Sequence, residues 1–191
     1  MSPIYKDVVH AISHAYASEL KTNCKSPAAF LDPLATTGKD PNWLTTEELI
    51  AQGSFTIMLC KRNLNQDLTN FMDAVYTLPN LKSEEGMFIK HERTNRKENA
   101  CLQVSSSLVK ETALQPAAAW FFVREFAGLP RLISKKELKK ILHRSDASCS
   151  RYKRKVFISM GGLHDLLLLH LHGPLQDAGL IPSHEQTSIR N

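Results

Sequence analysis

The chain has 191 residues, 42% hydrophobic and 23% charged, which supplies a core and excludes wholesale disorder or low-complexity character. Its longest purely apolar stretch, Pro116–Val123, falls far short of the roughly 20 residues of a membrane-spanning helix, and its first residues lack a secretory signal's basic start and apolar block. The net charge of +5 is concentrated: residues 124–155 hold eleven Lys and Arg against Glu125, Glu137 and Asp146, a surplus of eight that leaves −3 for the rest.

Residues 4–20 space Ile4, Val8, Val9, Ile12, Ala15, Tyr16 and Leu20 near three and four apart, which predicts an amphipathic helix. Residues 22–41 carry Pro27, Pro33, Gly38 and Pro41 and read as a loop. Thr45 and Glu48 match a capping box opening a short helix to about Gln52, with Gly53 as its stop. The Phe, Thr, Ile, Met and Leu content of 54–61 predicts a buried strand. Leu64, Leu68, Phe71, Met72 and Val75 space like a helix that stops near Pro79. Residues 87–91 and 101–109 read as two strands of a hairpin around the polar stretch 92–99, with Lys90, Arg93, Arg96 and Lys97 as a weak basic cluster at its tip.

Residues 113–126 are apolar enough for a buried helix, with Pro116 in its first turn and Gly128 and Pro130 closing it. Ser134 and Glu137 form a second capping box, opening the clearest helix, 134–143. Its inward stripe is Leu138, Ile141 and Leu142, with Lys135, Lys136, Lys139 and Lys140 mainly on the other face. A short helix at 146–152 and a strand at 155–160 follow, the strand ended by Gly161 and Gly162. Residues 163–171 are a core helix or strand, and the apolar run does not decide which. The polar residues 182–191 read as a flexible tail after one globular domain spanning 1–181. The expected class is α+β, helix-dominated, with a few short strands.

The basic segment carries the functional expectation. A lysine-bearing helix, a turn at Arg144 and Ser145, a second short helix and a strand would make a helix-turn-helix or winged-helix-like element over 131–160. In it Lys135, Lys136, Lys139, Lys140 and Arg144 would meet phosphates, with Arg151, Lys153 and Arg154 nearer the bases and Arg131 and Lys155 completing the nucleic-acid-binding set. The turn lacks the glycine common in such motifs, and only Tyr152 and Phe157 offer rings for stacking. The reading is a nucleic-acid-binding protein, a regulator or accessory factor of transcription or replication acting on DNA or RNA. The competing reading is an adaptor or inhibitor whose basic face docks an acidic protein.

Other chemistry has little support. Cys24, Cys60, Cys101 and Cys149 lie far apart, unlike a disulfide scaffold or a paired-cysteine zinc site, and read as reduced thiols of a cytoplasmic or nuclear protein. Cys149 alone sits among cations that favour a thiolate. His10 and His14, with Asp7, have helical ligand spacing, but the Glu of the zinc-protease motif is replaced by Ala11. His170 and His172 would chelate together only in a strand, with His164 nearby. No serine elbow or phosphate loop is present, so no catalytic residue, metal site or cofactor is assigned. The run 163–171 either packs the core or joins a second copy of the chain.

Overall fold

Every regular element in the computed structural model, which describes residues 4–21, 45–78 and 87–182, is an α-helix. The expected α+β class is therefore replaced by an all-α fold. The helices are α1 (Val8–Lys21), α2 (Thr46–Asn63), α3 (Gln66–Tyr76), α4 (Met87–Thr112), α5 (Pro116–Phe126), α6 (Lys135–Leu142) and α7 (Asp146–Asp177). They divide between two compact units, one holding α1, α2 and the chain from Leu171, the other holding residues 64–170. The expected loop at 22–41 and all but the first residue of the expected tail lie outside the described residues.

In the first unit α1 packs on α2. α1 buries Val8, Ala11, Ile12, Ala15 and Tyr16, the inward half of its apolar positions. The Thr45 and Glu48 capping box forms as expected, Glu48 N–H donating to Thr45 Oγ1 and Thr45 N–H to Glu48 Oε2. Gly53 does not stop the helix. A Cβ there would lie 1.8 Å from Ser18 Oγ and 3.3 Å from the Ala15 carbonyl oxygen, so this glycine admits α1 at close range. The expected strand at 54–61 is the continuation of α2: Gly53, Thr56 and Cys60 face inward at helical spacing, while Phe55 and Met58 are exposed.

In the second unit α3 packs on α4, α4 on α5, and α5 on α6. α7 joins them through side chains. Phe157 meets Phe126 edge-on at 5.2 Å between ring centres, and the Tyr76 hydroxyl lies 3.0 Å from His164 Nε2. The expected hairpin is the single 26-residue helix α4. Its inward stripe runs Arg93, Lys97, Ala100, Cys101, Val104, Ser105 and Leu108, a helical period masked in sequence because its first two members are cations. Lys97 is only 2% exposed. Its ammonium donates to the Thr77 carbonyl at 2.7 Å and the Val75 carbonyl at 3.4 Å, satisfying acceptors left open where α3 ends. Burial pulls its pKa down, partly offset by Cys101.

The expected strand at 155–160 is likewise helical, part of the 32-residue α7. Gly161 and Gly162 each cost helix propensity of about 1 kcal/mol. Val156, Met160 and Leu167, all fully buried, hold the helix through them. In the ambiguous run 163–171, Leu167 and Leu171 turn inward while Leu166 and Leu169 are exposed. α5 ends at Gly128, whose φ of +72° belongs to the left-handed region that reverses a chain, and Leu129 N–H returns to the Arg124 carbonyl.

Candidate polyanion interface

α6 begins at Ser134, whose hydroxyl accepts from Glu137 N–H while Glu137 Oε2 accepts from Ser134 N–H at 2.7 Å. The box fixes the helix's rotation, and Leu138 and Leu142 turn inward. Ile141, expected on that stripe, is 56% exposed. His143 takes a left-handed conformation, φ 47°, to end α6. The backbone then passes Arg144 to Ser145, whose hydroxyl accepts from Ser148 N–H at 3.4 Å in the first turn of α7. Two basic helices thus meet at a short turn, as expected. The second is a long helix, however, and with 155–160 helical no winged-helix element exists.

Of the ten expected contact residues, three are ion-paired. Glu125 Oε1 accepts from Arg131 Nη2 at 2.6 Å and from Lys153 Nζ at 3.0 Å. Burial pushes the Glu125 carboxyl up, but the hydrogen bonds and charges of Lys153 and Arg131 outweigh it and hold the pKa below the ordinary carboxylate range. Lys139 pairs with Asp146, and Lys153 also lies over the Phe157 ring, 4.9 Å from its centre. An eleventh cation of the segment, Arg124, is buried: it bonds Glu98 Oε1 at 2.8 Å and the Pro130 carbonyl, and lies over Trp120.

The other seven, Lys135, Lys136, Lys140, Arg144, Arg151, Arg154 and Lys155, are all exposed and have no carboxylate partner among the described residues. Helical spacing against the buried positions sets their directions. Lys136 and Lys140 lie on the arc of α6 away from Leu138 and Leu142; Arg151, Arg154 and Lys155 lie on the arc of α7 opposite Val156 and Met160. Lys135, Lys139 and Lys153 converge differently. With Phe122, Leu138, Asp146, Cys149 and Ser150 they line a pocket of about 110 Å³ where α5, α6 and α7 meet.

The histidines considered as ligands do not gather into a site. Asp7 accepts from His10 N–H at 2.7 Å at the entry to α1, and His10 Nδ1 accepts from Lys6 N–H. Tyr5 packs against both His10 and His14. His164 stacks on Tyr76, and on one helix His170 and His172 diverge. Among the described residues, no three His, Cys, Asp or Glu side chains gather as a metal site. Nor is any helix among them long and apolar enough to cross a membrane. Sequence reasoning missed the part of Glu125: its charge was counted, but a single acid ending an apolar helix does not reveal that two cations converge on it. No family model and no curated protein sequence matches the chain.

Proposed function

We propose that the chain binds nucleic acid, DNA or RNA, through α6 and the first turns of α7, as a regulator or accessory factor of transcription or replication in the cytoplasm or nucleus. One observation carries the reading: seven exposed Lys and Arg without carboxylate partners, gathered within residues 135–155. Cations left unpaired on a surface interact favourably with closely spaced phosphates, because each neutralised phosphate releases a condensed counterion. Lys136, Lys140 and Arg144 contact the backbone of the nucleic acid, and Arg151, Arg154 and Lys155 extend the contact along α7.

A salt-titrated binding assay against mixed duplex and single-stranded oligonucleotides tests this. The expected result is affinity in the micromolar range or tighter that falls linearly on a log–log plot against salt. Absence of binding at low salt overturns the reading. Capture of an acidic protein that survives nuclease treatment, without affinity for oligonucleotides, would assign the same cations to protein docking.

A further inference from the structure

The outward face of α7 carries a second pattern, which shares Arg151 and Lys155 with the proposed polyanion contact, so that the two uses compete for those cations. Opposite the buried Val156, Met160 and Leu167, the helix presents Arg151, Lys155, Ile158, Gly162, Asp165 and Leu169, spaced four and three residues apart in alternation. That spacing is the seam of a helix that packs along a second helix. Ile158 is 64% and Leu169 73% exposed, so two large apolar side chains stand in solvent on it. Nothing lies within 4 Å of where a Gly162 Cβ would be, so the seam has a notch at its middle.

We propose that this face binds a second copy of the chain, α7 against α7, antiparallel about a two-fold axis level with Met160. The register follows from the residues. When Ile158 of one copy stands opposite the Gly162 notch of the other, the symmetry places the second Ile158 in the second notch. The same register sets Lys155 opposite Asp165 twice, and the stem of Arg151 along Leu169 twice. Lys155 and Asp165 are exposed and have no ion-pair partner among the described residues. A parallel pairing would set Arg151 against Arg151 and Asp165 against Asp165, and like charges in apposition are unfavourable. The face is therefore complementary in shape and charge to its own reverse, the requirement of an isologous interface. A bilayer is a poor occupant, because Lys155 and Asp165 lie within the seam.

Sedimentation equilibrium on the nuclease-treated chain tests the proposal independently of nucleic-acid binding. The wild type is expected to have twice the mass of one chain at tens of micromolar. K155E and D165K should each weaken association by roughly tenfold or more. The double variant K155E/D165K should recover it, because the swapped charges meet again in the same register. Ile158→Glu should give a monomer. Circular dichroism should show that these surface variants keep their helix content. A monomeric wild type overturns the proposal; so does a dimer that K155E and D165K leave intact, or one that the charge swap fails to restore.

Discussion

Lys153 of α7 is held by Glu125 of α5, Nζ to Oε1 at 3.0 Å, on the same oxygen that receives Arg131. A cation of the basic segment is thereby committed to joining two helices, and the local charge surplus overstates what a ligand can reach. Glu125→Gln should release both cations. Removing a half-buried acceptor of charged bonds is expected to cost about 1–3 kcal/mol of stability. Affinity for oligonucleotides should nevertheless rise and the salt slope steepen by up to about 2. Chemical denaturation and a salt titration on one preparation read both.

The same carboxyl predicts an acid response. Its folded pKa lies below the ordinary glutamate value of 4.5, because the bonds from Lys153 and Arg131 outweigh the effect of burial. A group so shifted contributes stability that is fully present above 4.5 and is lost as pH falls through the lower folded value. The difference in stability between wild type and Glu125→Gln should therefore shrink as pH drops from about 6 to about 3. A constant difference would show that the pair does not titrate with folding.

Pairing also ranks the lysines of α6. Lys136 and Lys140 are exposed and unpaired, whereas Lys139 is tied to Asp146. Lys136→Gln and Lys140→Gln should each lower the salt slope by up to about 0.9, with Lys139→Gln having a smaller effect. None of the three lies on the buried Leu138 and Leu142 stripe, so thermal stability should change by less than about 0.5 kcal/mol. Equal loss from all three would mean that Lys139 leaves Asp146 to meet the ligand.

Caps and apolar pattern together revealed α1, α3, α5 and α6 and the starts of α2 and α7, but neither α4 nor the full length of α2 and α7. The Thr45 and Ser134 boxes located the starts of α2 and α6, since capping depends on residues three apart in the chain. The false strands at 54–61, 87–91, 101–109 and 155–160 arose where tertiary packing overrides local signals. Gly53 looks like a stop in sequence because its contact with Ser18 is remote along the chain. The sequence pattern divides α4 because Arg93 and Lys97 occupy inward positions where the period calls for apolar residues. The site was legible as a list of charges but not as a set of pairs, because Glu125 reaches Arg131 and Lys153 across turns that spacing does not encode.

Two glycines inside helices should respond oppositely to one added methyl group. Gly53→Ala places a Cβ against Ser18 and is expected to destabilise by about 1–3 kcal/mol through overpacking. Gly161→Ala meets nothing within 4 Å and should stabilise by roughly 0.5–1 kcal/mol through helix propensity. Ser18→Gly in the Gly53→Ala background should recover part of the loss, since the nearest clash is with that side chain. Denaturation midpoints of the four proteins decide it. A Gly53→Ala variant as stable as wild type would mean that α1 and α2 part without cost.

The thiols predict a response at the alkaline end. Burial pushes Cys60 up to about 12 and Cys101 up to about 11, the latter despite the nearby charges of Lys97 and Arg124. Both start from 9.0, so the fold keeps protons that the unfolded chain releases. Their contribution to stability is complete below pH 9 and declines as pH rises toward 11 and 12. Cys60→Ala should flatten that decline, at the cost of a small buried cavity beside α2. Peptide-resolved alkylation of the native protein near neutral pH should label half-buried Cys149 and spare Cys60 and Cys101. Denaturant should abolish the distinction, because it rests on burial. Rapid native labelling of Cys60 would place the inward face of α2 in solvent and contradict its burial.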